Sequence, residues 1–491
     1  MRRLPSMPQM KETAEKTAMR RGIGILCVLS LGLSACVTVG PDYRAPEVSA
    51  PGQWQAPTAH GGSEASLEDW WEQFDDPALL GLLKAAATDS PSLDQAWANI
   101  ESARASLASV RADLAPSLDG NASITRSRQQ QGDGLEVLTS RSAGFDASWE
   151  LDLFGKLRRS AEEAQARLQA RMGDWHEARV SLAAEVADSY VQYRGCQLLV
   201  GAYEQELASM DKTAEATAVS VRAGFTAPAD GSLARASLAS TQSSLQAQRL
   251  ECELLVKALV ALSGLAEGDL MARLGADKRE LPRPAAFRID ALPADVLRQR
   301  PDIAALEREL AAASAAIGAA QADLYPSLSL SGSIAVSASS LASSASTWSF
   351  GPSLSLPLFD GGRRRAAVDS AEADYRAALA QWRQGVRSAI KEVEQALARL
   401  DGAAFRTART AQAAEQYRAY FAATEVRWRT GSASLLELED ARRSALSAEI
   451  EYLGLLRDQV QYWIALYKAV GGGWSADDPA LAAGYGALAP E

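Results

Sequence analysis

The chain has 491 residues, 47% hydrophobic and 23% charged, so it is a folding sequence long enough for several domains or one elongated assembly. Its net charge is −11, and without residues 1–35 it is −15, from 44 Lys/Arg against 59 Asp/Glu. An acidic chain without a basic cluster argues against nucleic acid as a partner. Its two histidines, His60 and His176, have no Cys or acidic neighbours at ligand spacing, and no phosphate loop or Ser/His/Asp arrangement occurs. The sequence therefore predicts no metal site, no cofactor and no enzyme.

The chain opens on a targeting segment. Met19-Arg20-Arg21 is basic, and the apolar run Gly22–Ala35 that follows is short for a membrane-spanning helix. It ends in Leu33-Ser34-Ala35-Cys36, which resembles a bacterial lipoprotein signal. That resemblance implies removal of residues 1–35 and a covalent lipid on Cys36, and Val37 after the cysteine favours the outer membrane. Met19 is an alternative start, and an ordinary signal peptide with an incidental Cys36 is the competing reading. No later stretch holds 18 consecutive apolar residues, so any membrane crossing by the rest of the chain must use β-strands.

Residues 36–90 read as a Pro-, Gly- and Ser-rich tether followed by a short helix from Pro77. A first repeat spans 91–280. Its opening helix runs from Pro91 to about Leu114, and alternation then marks strands near 117–127 and 143–153. From Lys156 the period becomes helical, with Leu168, Trp175, Leu182, Ser189, Cys196, Tyr203, Met210 and Thr217 in heptads to about Arg222. Gly224 and Pro228 mark a turn, and Leu238, Leu245, Cys252 and Leu259 run back. Gly264–Leu292, broken by Gly and Pro, reads as connector, with 281–300 leading into the next unit. The series then recurs over 301–471: Ala112-Asp113-Leu114-Ala115-Pro116-Ser117 returns as Ala322-Asp323-Leu324-Tyr325-Pro326-Ser327. Strands near 327–337 and 347–358 lead into a second long helical hairpin that turns near 431–434. The tail 472–491 has no readable period.

The strands carry one apolar and one polar face, as lipid-facing and lumen-facing sides of a membrane barrel do. Four strands cannot close a barrel, and an open edge is not tolerated in lipid, so the chain must oligomerise; a trimer gives about 12 strands. A soluble coiled-coil envelope lipoprotein is the competing architecture. At the second turn, Gly431 ends one helix and Ser434 with Glu437 forms a capping box that opens the next. Leu436, Asp440 and Arg443, at i, i+4 and i+7, share one face of that helix. On spacing alone they are a surface stripe with a local ion pair. Cys196 and Cys252 lie equally far from Gly224 along the chain, on opposite arms of the hairpin. They could form a disulfide in an oxidising periplasm, or be two small residues in an apolar seam.

Several short motifs, taken in order, resemble the outer-membrane factor lipoproteins of tripartite efflux systems, the TolC/OprM-like family. They are Cys36 with Val39-Gly40-Pro41-Asp42-Tyr43; Trp70-Trp71 with Phe74 and Asp76-Pro77; Leu297 with Arg300-Pro301-Asp302-Ile303 and Glu307; Ile317-Gly318; Tyr325-Pro326-Ser327; Arg429-Thr430-Gly431; and Tyr467-Lys468-Ala469-Val470-Gly471-Gly472-Gly473-Trp474. The resemblance implies a homotrimer with a transmembrane β-barrel of about 12 strands on a periplasmic α-barrel of about 12 coiled-coil helices. Its implied partners are a periplasmic adaptor and an inner-membrane pump, often of the resistance-nodulation-division type, with an ATP-driven type I export system as the alternative. It also implies that Leu436, Asp440 and Arg443 form a gate at the periplasmic tip: a dry constriction, an acidic ring and its partner. The first turn, at Gly224, would serve adaptor docking.

Overall fold

The computed structural model describes residues 38–47, 50–57, 67, 70–131, 134–275, 280–282, 293–340 and 342–473. Cys36, His60 and Trp474 lie outside these. A 3-10 turn, Trp70–Phe74, precedes helices α1 (Pro77–Thr88) and α2 (Pro91–Ala112). Strands β1 (Ser117–Gln131) and β2 (Gly134–Leu151) lead to a hairpin of α3 (Lys156–Arg222) and α4 (Pro228–Ser263). After α5 (Glu267–Leu274) and α6 (Pro293–Arg298) the order repeats as α7 (Pro301–Ala322), β3 (Ser327–Ser339), β4 (Ala342–Ser355), α8 (Arg363–Arg429) and α9 (Leu435–Ala469).

The contacts divide the chain into two compact units. The first comprises Met1–Pro46, Glu101–Ala170 and Glu307–Gln381. It holds one antiparallel sheet in the order β1-β2-β3-β4, leaving β1 and β4 at its edges. Alternation sets its two faces. Ile124, Phe145, Trp348 and Phe350 stand exposed on one side although apolar. On the other, Ser123 meets Ser142 at 2.8 Å, Ser333 meets Ser349 at 2.9 Å, and Asn121 donates to Asp146. A face of large apolar side chains without a covering layer needs a non-aqueous neighbour. Among the described residues, no helix is long and apolar enough to cross a membrane.

In this unit the N-terminal segment lies against the junction where β2 becomes α3. The Arg159 guanidinium donates to the Val39 carbonyl at 3.1 Å and to Asp42 at 2.8 Å. Gly40, at φ +94, approaches Gly318 so closely that a Cβ would fall 2.3 Å from the Gly318 Cα. Only glycine suits that conformation and that contact, which gives Val39-Gly40 and Ile317-Gly318 a common physical reason. Tyr43 donates to the Glu307 carboxylate and stands under Arg308.

The second unit comprises Glu47–Ile100, Arg171–Leu306 and Trp382–Glu491. Its main core gathers Trp70, Leu79, Leu82, Val186, Tyr190, Leu259, Val393, Leu397 and Tyr467. Trp70 stacks on Tyr467 with ring centroids 4.8 Å apart. Asp76 caps α1 by accepting from the Ala78 amide at 3.0 Å and also accepts from the Tyr190 hydroxyl at 2.7 Å. Arg300 ties three helices: it donates to Asp302 at the start of α7, to Glu392 of α8 at 2.8 Å, and to the Ala469 carbonyl at the end of α9 at 2.7 Å. Arg300-Pro301-Asp302 and the glycines after Ala469 are thus two sides of one structural joint.

The heptads correspond to buried seams: Leu168, Trp175, Met210 and Thr217 on α3, and Leu245 and Leu259 on α4, are all buried. The connector expected over Gly264–Leu292 is corrected in part. Glu267–Leu274 is helical because Leu270 and Leu274, one turn apart, insert into the core. The fourth strand ends at Ser355, not near 358, and the second begins at Gly134, well before 143.

Candidate functional site

The two long hairpins end in turns of one design. Gly224 (φ +77) and Gly431 (φ +78) each take the left-handed conformation that closes a helix. Beyond them, Phe225 donates its amide to the Ser220 carbonyl at 3.0 Å and Ser432 to that of Arg427 at 2.8 Å. At the second turn Ser434 accepts from the Glu437 amide at 3.1 Å, and Glu437 accepts from the Ser434 amide at 2.8 Å. This reciprocal box fixes the phase of α9, and hence which side chains point where.

That phase splits the first turns of α9 into two faces. Leu435 and Leu438 are buried with Ala214 of α3 and Ala234 of α4, so the two hairpins pack together here. Leu436, 58% exposed, Asp440 and Arg443 share the opposite, solvent-facing side. Arg443 donates to Asp440 at 2.8 Å. The first turn presents a different surface: Phe225 is 88% exposed, while Arg235 donates to Ser232 on its own helix.

A buried charged cluster lies beneath the exposed trio. Arg442, 1% exposed, donates to Glu439 on its own helix and to Thr213 of α3 at 2.6 Å. Its guanidinium sits 5.3 Å from the Phe421 ring centroid of α8, beside Met210, and 3.9 Å from the Glu206 carboxylate. Burial pushes the Glu206 carboxyl up to about 7; Arg442 opposes this and Glu439 adds to it. No sequence motif singled out this cluster, although a signal was available. Glu439 and Arg442 fall on the same helix stripe as Leu435 and Leu438, where charge is costly unless paired.

Cys196 of α3 and Cys252 of α4 face each other across the first hairpin, with Cα atoms 5.6 Å and sulfurs 2.10 Å apart. His176 is buried against Trp175. Among the described residues, no group of three or more His, Cys, Asp or Glu is arranged to hold a metal ion.

A four-stranded sheet with an exposed apolar face, continued by two long helical hairpins, defines a protomer of an outer-membrane channel. Known proteins make the class specific. Residues 82–265 and 292–472 match the family described as outer membrane efflux protein. The toluene efflux pump outer membrane protein TtgI of Pseudomonas putida is 32% identical over 469 residues, covering 91% of this chain and 97% of that protein. The outer-membrane channel OprN superposes with a TM-score of 0.78 at 34% identity, covering 89% of this chain and 99% of that one. The open state of the MtrE outer membrane channel of Neisseria gonorrhoeae gives 0.75 at 29% identity, covering 90% and 99%. The chain belongs to the outer membrane efflux protein family, and it is an outer-membrane component of an efflux pump.

Proposed function

We propose that three copies of this chain form an exit duct for small molecules, closed at its periplasmic tip by Leu436 and Asp440. The observation that carries the reading is the phase of α9, which buries Leu435, Leu438 and Arg442 but leaves Leu436, Asp440 and Arg443 exposed on one face. Repeated three times about an axis, Leu436 makes an apolar constriction and Asp440 an acidic ring that disfavours anions. The Asp440–Arg443 pair holds the carboxylate in place within each copy. Closure of the sheet by neighbouring copies gives a barrel of about 12 strands, with the exposed apolar face toward lipid. The duct works with a periplasmic adaptor and an inner-membrane pump of the resistance-nodulation-division type, whose docking opens the tip. It catalyses no reaction and needs no cofactor. Cys36 carries the lipid anchor, and Cys196 and Cys252 are joined as a disulfide in the oxidising periplasm. Toluene efflux in the name of TtgI points to small apolar cargo.

Planar-bilayer recording tests the gate. Asp440→Asn is expected to move the reversal potential in a salt gradient toward zero, and Leu436→Ser to raise conductance. Unchanged selectivity and conductance in both variants would remove the trio from the gate. Crosslinking in cells, followed by mass spectrometry, tests the partners: recovery of an ATP-driven transporter would replace the proposed pump.

A further inference from the structure

The internal repeat is visible in the register of the sheet. Ser117 faces Ser148 in the first hairpin, and Ser327 faces Ser355 in the second. Laying Ser117 on Ser327 therefore carries β1 onto β3, and laying Ser148 on Ser355 carries β2 onto β4. The correspondence holds along both hairpins: Leu118 with Ala147 maps onto Leu328 with Leu354, and Ile124 with Arg141 onto Ile334 with Trp348. It also continues past the strands. Gly155, at φ +82 before α3, maps onto Gly362, at φ +90 before α8.

Between the repeats, β2 pairs with β3, and Lys156 at the start of α3 meets Asp323 at the end of α7 at 2.7 Å. The same two shifts carry Lys156 onto Arg363 and Asp323 onto Asp113. Both charges keep their sign. Both side chains are exposed. Among the described residues neither meets an opposite charge within the chain, and they adjoin β4 and β1, the opposite edges of the sheet.

We propose that a second copy of the chain completes this junction. Arg363 of one copy bonds Asp113 of the partner subunit, and β4 pairs antiparallel with the neighbouring β1 in the register already used by β2 and β3. This inference rests on the trimeric reading above and specifies its seam. Ser148 opposite Ser331 becomes Ser355 opposite Asn121 of the partner subunit, and Ala147 opposite Gly332 becomes Leu354 opposite Ala122 of the partner subunit. These two pairs match polar with polar and apolar with apolar, as do Ser353 opposite Ser123 of the partner subunit and Pro352 opposite Ile124 of the partner subunit. Farther along, Phe350 and Trp348 meet Arg126 of the partner subunit and Arg128 of the partner subunit. A one-residue slip would turn the serine face of one strand to the apolar side. A two-residue slip would keep the faces but separate the ion pair by about 7 Å. An exposed ion pair adds little stability, so its role here is to select one register.

The test uses full-length protein in membranes. Asn121→Cys with Ser355→Cys is oxidised under mild conditions and run on a non-reducing gel beside each single variant. Asp119→Cys with Ser355→Cys, and Ser123→Cys with Ser355→Cys, supply the shifted registers. The expected result is a dimer and trimer ladder forming fastest for Asn121→Cys with Ser355→Cys and absent from the single variants. Faster crosslinking of a shifted pair, or a trimer by native mass that no pair crosslinks, overturns the register while the trimer stands. A monomer by native mass overturns the trimeric reading itself. Independently, Arg363→Asp and Asp113→Arg should each shift crosslinking from the Asn121→Cys with Ser355→Cys pair toward the shifted pairs and together restore the original preference; no recovery in the double variant overturns the ion pair.

Discussion

Replacing Arg442 by Met removes the cation from a buried cluster while retaining much of its apolar stem. Glu439 is itself buried and loses its charged partner, and Glu206 loses the positive charge 3.9 Å away. Breaking a buried pair from one side costs about 3–5 kcal/mol. Protonation of Glu206, whose carboxyl already titrates at about 7, recovers part of that. A net loss of about 2–4 kcal/mol should remain, equivalent to roughly 30- to 700-fold in a local opening equilibrium. Amide hydrogen exchange of the peptide covering residues 435–448, in detergent-solubilised protein, reads that equilibrium directly. Adding Glu206→Gln and Glu439→Gln should restore much of the protection, because the cluster is then neutral on every side. Exchange changed less than about threefold in Arg442→Met would refute the reasoning and make the cluster a passive filler of the hairpin interface.

The Glu206 carboxyl binds its proton more tightly in the folded hairpin than in the unfolded chain, so its effect favours acid: protection of α9 should be full below about pH 4.5 and fall as pH rises through about 7. Glu206→Gln should flatten that profile, and a wild-type profile flat over the window would count against it. Ser434→Ala removes the cap of α9 and should cost about 1 kcal/mol, seen as faster exchange confined to its first turn. Cys252→Ser should release one alkylatable thiol at Cys196 and lower stability by roughly 2–4 kcal/mol; two thiols freely alkylated in unfolded, unreduced wild-type protein would exclude the bond.

Periodicity made most of the fold legible. Alternation such as Phe145, Ala147 and Trp149 against Asp146, Ser148 and Glu150 reports a sheet with two different environments, and it needs no knowledge of the partner strand. The signal faded where one face lost its apolar residues. Ser127–Gln131 of β1 is wholly polar in sequence and is held as strand by its pairing with Gly134–Leu138. The helix-breaking look of the connector hid α5, whose order comes from Leu270 and Leu274 entering a core built by distant segments. The exposed half of the tip was readable because Leu436, Asp440 and Arg443 need only helix geometry to share a face. The buried half was not, because a charged residue in sequence reads as surface until its counter-charge is known. Glu206 and Thr213 belong to the other repeat, far from Arg442 along the chain, and only the packing of α3 against α9 makes that arginine an interior residue.

The long arms of the two repeats are matched in length: α3 and α8 each have 67 residues, and α4 and α9 have 36 and 35. At 1.5 Å of rise per residue, 67 residues give each long arm about 100 Å of helix. The two hairpins are therefore gauged to one another, and a change in one is felt as a difference between them. Removing one heptad from α3 and a matching heptad from α4 withdraws the first turn by about 10 Å while the second keeps its reach, uncoupling Ala214 and Ala234 from Leu435 and Leu438. Removing matched heptads from all four helices would instead preserve every pairing at the turns and shorten the whole reach in step. Insertions and deletions in such a chain are thus tolerated as sets of four, and the sequence must keep two distant stretches in common measure.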